Sequence, residues 1–169
     1  KAFKKSVGLN GVGVKAVNAL SAHFEASSYR DGKVRTVVFE KGNVVSDTTE
    51  NAGPEETGTR IVFEPDNTLF VGYSFRTAYI ETMLRNYTYL NTGLTIMFNG
   101  KRILSRNGLV DLLTDNMTAT SLYPIIHLKT EDIEIAFTHT DQYGEENYSF
   151  GNGQHTAQGG THQSAFKEQ

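Results

Sequence analysis

Three glycines near the start of the sequence could bind an anion. They belong to the segment Gly8-Leu9-Asn10-Gly11-Val12-Gly13, which leads directly into a helical pattern over residues 14–20. Glycine lets the backbone approach a ligand closely, and the first turn of a helix presents unpaired N–H groups at the positive end of its dipole. The spacing therefore makes this segment a candidate phosphate-binding loop. A plain turn explains the same glycines equally well.

Composition restricts the class of protein. The 169 residues are 38% hydrophobic and 21% charged, which is enough for one domain or two small ones. Sixteen Lys and Arg against 19 Asp and Glu give a net charge of −3, so any contact with nucleic acid is expected to be local or indirect. The absence of cysteine excludes disulfides and thiolate metal sites. No apolar run reaches the length of a membrane span, so we expect a cytoplasmic protein without a membrane partner.

Hydrophobic periodicity in the first part of the chain predicts strands that precede a long helix. Strands are expected over 24–29 and 34–40, joined by an Asp31-Gly32 hairpin, and over 58–65, with a polar loop over 48–56 between them. The helix that follows the glycine loop is expected to turn Val14, Val17 and Leu20 inward. A second helix over 74–90 carries a stripe of apolar residues expected in the core, and a strand over 94–98 ends at Asn99-Gly100.

A change of composition near Gly108 indicates a domain boundary. A short helix over 109–113 and extended chain over 123–127 follow, and alternation over 133–137 predicts a strand whose partner returns over 147–150. Thr161 is a candidate N-cap of a helix at the end of the chain, where we expect the sequence to be a cut piece of a longer one. The five histidines are scattered without metal-site spacing, so zinc is not expected: His23, His127, His139, His155 and His162.

Several motifs, taken in order, carry a resemblance. They are Ser6 to Gly13 followed by Ala16-Val17-Asn18-Ala19-Leu20-Ser21, then Thr57-Gly58-Thr59 with Phe63 and Pro65, then Tyr89-Leu90-Asn91-Thr92-Gly93-Leu94, and finally Gln158-Gly159-Gly160-Thr161-His162 with Phe166. In this combination the chain resembles the ATPase subunits of type IIA DNA topoisomerases, most closely the bacterial topoisomerase IV B subunits, with the gyrase B subunits as the near alternative. A second possibility is another GHKL-superfamily protein, such as a chaperone or mismatch-repair ATPase. Those relatives are not expected to carry the Gly159-Gly160-Thr161-His162 ending.

The resemblance implies a fold and a parent activity. It makes residues 1–107 the later part of a Bergerat (GHKL) ATPase domain, of the α+β class, with a mixed sheet and helices on one face. It makes residues 108–169 the start of an α/β transducer domain with a ribosomal-protein-like fold. The parent would use ATP and Mg²⁺ to close a homodimer gate and pass one DNA duplex through another, together with a DNA-cleaving subunit.

The resemblance also implies roles for particular residues. The backbone amides of the glycine loop would wrap the triphosphate, Thr59 would reach the adenine side, and Lys4 and Ser6 would support the nucleotide: the loop residues are Gly8, Leu9, Asn10, Gly11, Val12 and Gly13. The family's general-base Glu, magnesium-holding Asn and adenine-reading Asp precede this loop, and its γ-phosphate Lys would follow Gln169. No catalytic residue is therefore assigned to this chain. By itself it is expected to bind no cofactor firmly and not to hydrolyse ATP.

Overall fold

The structure is a computed structural model that describes residues 11–53 and 57–168. The chain divides into two compact units, one ending at Ser74 and the other beginning at Phe75. Both units combine helices with antiparallel strands, which confirms the predicted α+β class.

The first unit is built on a four-stranded antiparallel sheet. Its elements are helix α1 (Gly13–Ala19) and strands β1 (Ser21–Arg30), β2 (Lys33–Glu40), β3 (Asn43–Asn51) and β4 (Gly58–Pro65), in the order β3-β2-β1-β4. The Asp31-Gly32 turn has φ values of 53° and 70°, and the Lys41-Gly42 turn has φ values of 50° and 83°. Two consecutive positive φ angles are typical of the two-residue turns that suit antiparallel twist. These turns therefore fix the register of β1, β2 and β3.

The second unit packs two longer helices against short hairpins. Its core holds Tyr89, Ile103 and Leu112, each at most 6% exposed. A two-residue Asn99-Gly100 turn, again with two positive φ angles, joins the strands of its first hairpin. The elements are α2 (Thr77–Leu90), β5 (Thr95–Phe98), β6 (Lys101–Leu104), α3 (Leu109–Asn116), β7 (Ile126–Lys129), β8 (Glu134–Phe137), β9 (Phe150–Gly151), β10 (Gln154–His155) and α4 (Thr161–Lys167).

Most predicted elements are confirmed, but two predictions about strands were wrong. The polar stretch over 48–56 is not all loop, because β3 continues to Asn51 as an edge strand with every residue exposed. Such a strand has no buried face to produce an alternating pattern. The segment over 147–150 is also not the partner of β8, which pairs with β7. Instead β9 pairs with β10 across the tight Asn152-Gly153 turn. Pairing with such a near neighbour in the sequence costs little loop-closure entropy.

Three predictions about side chains were wrong in whole or in part. The stripe on α2 is only partly in the core: Ile80, Leu84 and Leu90 are half-buried, whereas Tyr79 is 68% exposed and Met83 and Tyr87 are exposed as well. On α1, the expected inward residues are exposed, among them Val14 at 64%. Thr161 is not an N-cap but the first residue of α4, and Gly160 occupies the cap position without a side-chain bond.

The division of the chain differs from the predicted domain boundary. The compact units separate at Ser74, whereas the sequence indicates a boundary near Gly108. Helix α3, just after Gly108, packs against α2 and β8. The assignment of 1–107 to an ATPase domain and 108–169 to a transducer domain stays a prediction.

Candidate functional site

Thr59 lies on one face of the four-stranded sheet, as does a row of apolar side chains. It is opposite Ser28 of β1 in the register, next to the Ile61–Ala26 pair on the same face. Thr59 is exposed, so its hydroxyl is available to a ligand as both donor and acceptor. This placement is compatible with the adenine-side role that the resemblance implies.

A groove of about 440 Å³ runs over this face beside Thr59. Its apolar floor includes Val37 and Phe39 of β2 and Val44 of β3, and its rim includes Arg35 and Asp47. Sequence reasoning did not assign these residues to a site. The sequence feature that could have identified them is the alternation of side chains between the two faces of β1 and β2. Once the hairpin register is known, this alternation places Ala26, Val37 and Phe39 on the same face as Thr59.

The rim of the groove carries a bidentate ion pair. Arg35 donates from Nε to Asp47 Oδ1 at 2.9 Å and from Nη2 to Asp47 Oδ2 at 2.7 Å. Hydrogen bonding by the guanidinium and its charge hold the pKa of the Asp47 carboxyl below its ordinary value, so it stays ionised near neutral pH. The pair gives an otherwise apolar groove a fixed polar edge.

Part of the predicted phosphate loop is described by the structure. Gly11 has φ of 61°, Val12 is the N-cap of α1, and Gly13 is its first residue. A Cβ atom added to either glycine would meet nothing within 4 Å, and Val12 makes no side-chain cap bond. No described atom therefore crowds the backbone on the Cβ side of either glycine. The other predicted nucleotide contacts lie outside the described residues: Lys4, Ser6, Gly8, Leu9 and Asn10.

The glycine loop and Thr59 belong to the same compact unit but to different elements. Ser21, the first residue of β1, pairs with Pro65, whereas Ser28 near its other end pairs with Thr59. Seven residues of strand extend about 23 Å. Thr59 therefore lies about 23 Å, measured along the strands, from Ser21, where α1 joins the sheet.

In the second unit, His162 of the motif that ends the resemblance joins a short polar chain centred on the buried Ser149. Thr156 Oγ1 donates to Ser149 Oγ at 2.7 Å, and Ser149 Oγ is 2.6 Å from His162 Nε2. His155 does not join this chain and packs on the ring of Phe150. The chain ties the start of α4 to the hairpin of β9 and β10.

Comparisons with known proteins decide the family. A family model described as DNA gyrase B matches residues 79–169, which is more than half of the chain. The chain belongs to the DNA gyrase B family. The B subunit of DNA topoisomerase 4 from Borreliella burgdorferi is 41% identical over 98% of this chain and 28% of its own length. The B subunit of DNA gyrase from Thermotoga maritima is 35% identical over 98% of this chain and 29% of its own length.

Solved structures agree with this DNA gyrase B family assignment. The 43K ATPase domain of Thermus thermophilus gyrase B, solved with an aminocoumarin, has a TM-score of 0.80 at 31% identity and covers 94% of this chain and 47% of its own. The ATP-binding domain of Francisella tularensis topoisomerase IV has a TM-score of 0.57 at 30% identity, over 72% of this chain and 36% of its own. The predicted GHKL fold is confirmed. The chain spans less than a third of the length of the curated relatives just named.

Neither a metal site nor a membrane-spanning helix is found in the described part of this gyrase B family member. Within residues 11–53 and 57–168, no group of three or more His, Asp and Glu side chains could hold a metal ion. None of the helices in those two ranges is long and apolar enough to cross a membrane.

Proposed function

We propose that this chain supplies the ATP lid and the adenine-side threonine of a type II DNA topoisomerase B subunit. The observation that carries the proposal is Thr59, a hydroxyl at the edge of an apolar groove of about 440 Å³ in the unit that also holds the glycine loop. An apolar groove accepts the faces of a purine, and the hydroxyl can pair with its edge. The open backbone of Gly11 to Gly13 is suited to phosphate oxygens.

The chemistry of hydrolysis would need groups from elsewhere in the parent. A bound Mg²⁺ would neutralise charge on the phosphates, and the general base and metal-holding residues of the family precede the lid. The residues of this chain would bind and orient the nucleotide and exclude water from it. We propose accordingly that the 169-residue chain alone does not hydrolyse ATP.

The wider activity follows from the same assignment. In the parent, ATP binding would bring two copies of the B subunit together and hydrolysis would release them, while a DNA-cleaving subunit opens one duplex for the passage of another. The second unit would transmit the nucleotide state by rigid-body movement. The parent would act in the cytoplasm on double-stranded DNA.

The proposal is tested by Thr59→Ala in the whole subunit that contains this chain. Loss of one hydrogen bond to the base is expected to raise the KM for ATP about fivefold to tenfold, with a smaller change in kcat. The matched control is Thr48→Ala, since Thr48 is an exposed threonine of β3 in the same sheet, and its pairing with Thr36 places it on the opposite face. Equal KM values for the two variants would contradict the proposal.

A further inference from the structure

A buried carboxylate just after β4 has no role in the site described above. Asp66 is 4% exposed. Its Oδ1 accepts hydrogen bonds from the N–H of Thr68 at 2.9 Å and from the Thr68 hydroxyl at 2.7 Å, and its Oδ2 is 2.8 Å from Lys41 Nζ. Hydrogen bonds from Lys41 and then from Thr68 lower the pKa of Asp66 to about 2, so the group is a fully partnered anion.

The backbone around Asp66 ties helix α1 to the sheet. The Asp66 N–H donates to the carbonyl of Leu20, the C-cap residue of α1, at 3.0 Å. The Lys41 N–H donates to the carbonyl of Ser21 at 3.0 Å, and the Ser21 hydroxyl donates to the carbonyl of Val17 at 2.6 Å. The end of β4, the turn between β2 and β3, and the carboxyl end of α1 therefore meet at one corner of the sheet.

Side-chain and backbone contacts at this corner depend on one another. Lys41 contributes its ammonium to Asp66 and its backbone N–H to the junction that follows α1. The next residue, Gly42, lies so close to the helix that an added Cβ atom would be 3.5 Å from the Ala19 Cα. Loss of the ion pair would therefore loosen the packing of this turn against the end of α1, although its pairing within β2 and β3 remains.

Among the residues that the structure describes, few other contacts hold the rest of α1. No residue of α1, all of which the structure describes, is buried. The hydrogen bonds given above attach the helix at its carboxyl end, and its amino end carries Gly11 to Gly13. A short helix attached at one end can change its direction by small changes at that end. The direction of the backbone from Gly11 to Gly13 therefore depends on the corner at Asp66.

We propose that Asp66 is a positioning residue for nucleotide binding, which sets the direction of α1 and thereby the place of the phosphate-binding backbone at Gly11 to Gly13. The inference rests on the proposed function, since the loop matters to activity only if it meets the triphosphate. Asp66 itself does not touch the nucleotide. Its effect is exerted through Leu20 and Lys41, the two residues that join it to α1 and to the neighbouring turn.

The test uses the whole subunit that contains this chain, with Asp66→Asn as the main variant. An asparagine oxygen still accepts both bonds from Thr68, but its NH₂ group faces the Lys41 ammonium and cannot pair with it. The matched control is Glu25→Gln, because Glu25 Oε1 is also 2.8 Å from a cation, Arg60 Nη1, and pairs across β1 and β4 away from α1. Asp66→Ala, which removes the Thr68 bonds as well, is the stronger variant.

Two measurements are made on each variant: hydrogen exchange of the α1 amides without nucleotide, and the KM and kcat for ATP. Asp66→Asn is expected to increase exchange across α1 and to raise KM about tenfold with kcat within about twofold, and Glu25→Gln is expected to do neither. Unchanged α1 exchange in both Asp66 variants would overturn the inference, and so would faster exchange with an unchanged KM. An unchanged KM in Thr59→Ala would instead contradict the proposed function.

Discussion

At the scale of single residues, Asp66 makes the stability of the chain depend on pH in the acid range. Its pKa is about 2 in the folded chain against an ordinary value of 3.8, because Lys41 and Thr68 donate to its ionised form. A carboxyl whose pKa falls on folding stabilises the fold above its unfolded pKa, and this stabilisation is lost as pH falls from about 4 through about 2. When pH is lowered across this range, the midpoint temperature of thermal unfolding is expected to fall less in Asp66→Asn than in the unchanged chain. An equal fall of the midpoint temperature in both proteins would contradict this prediction.

A second prediction at this scale explains a glycine of the family motif. A Cβ atom on Gly160 would lie 2.8 Å from Cε1 and 3.0 Å from Nδ1 of His162, so Gly160→Ala would push the imidazole away from Ser149. We expect a loss of about 1–3 kcal/mol in the free energy of unfolding. Gly144→Ala is the control, because Gly144 also has positive φ, at 106°, but its Cβ would meet nothing within 4 Å. Urea unfolding of both variants measures the difference, and equal losses would show that the ring contact is unimportant.

The residues of the site, and Asp66 outside it, differ in how far the sequence could identify them. Thr59 could be found because it follows Gly58 in a recognisable motif and begins a strand. Asp66 could not, since Lys41 and Leu20 are distant in the sequence and meet it only when three elements have packed. The same applies to Val37 and Val44 of the groove, which join Thr59 only through the register of the sheet.

At the scale of elements, α3 depends on a carboxylate in its first turn. Asp111 accepts hydrogen bonds from the Ser105 hydroxyl at 2.7 Å, from the backbone N–H groups of Arg106 and Asn107 at 3.0 and 2.9 Å, and from Asn107 Nδ2 at 2.8 Å. Asp111→Ala is expected to destabilise the chain by about 2 kcal/mol, because it leaves these donors without their acceptor. Thr114→Ala in the same helix is the control, with an expected loss below about 0.5 kcal/mol. Urea unfolding measures both, and equal losses would contradict a special role of Asp111.

Elements with a local signal were predicted better than elements that exist through pairing. The Asp31-Gly32 and Asn99-Gly100 pairs predict their hairpins, because these residue types tolerate the positive φ angles that two-residue turns require. Both residues of each pair adopt such angles in the structure. Strand β3 has no such signal on its polar side chains and is formed by its hydrogen bonds to β2. The apolar residues at helical spacing on α2 predicted the helix correctly but not its environment, because periodicity identifies a face and not what covers that face.

At the scale of the whole molecule, we expect the apolar sheet face to drive association of the 169-residue chain in solution. Val44, Ile61 and Phe63 are 61%, 46% and 42% exposed on the sheet that holds Thr59. Exposed apolar surface of this kind, next to strand edges that can pair, favours association between copies. Light scattering of the isolated chain is expected to show a mass that rises with concentration. Ile61→Lys is expected to lower that mass, because association would then bury an unpaired ammonium. The control is Glu50→Lys on the exposed edge strand β3, which adds a lysine without altering the apolar face and is expected to lower the mass less. A monomer at every concentration, or equal effects of the two lysines, would mean that the apolar face does not drive association.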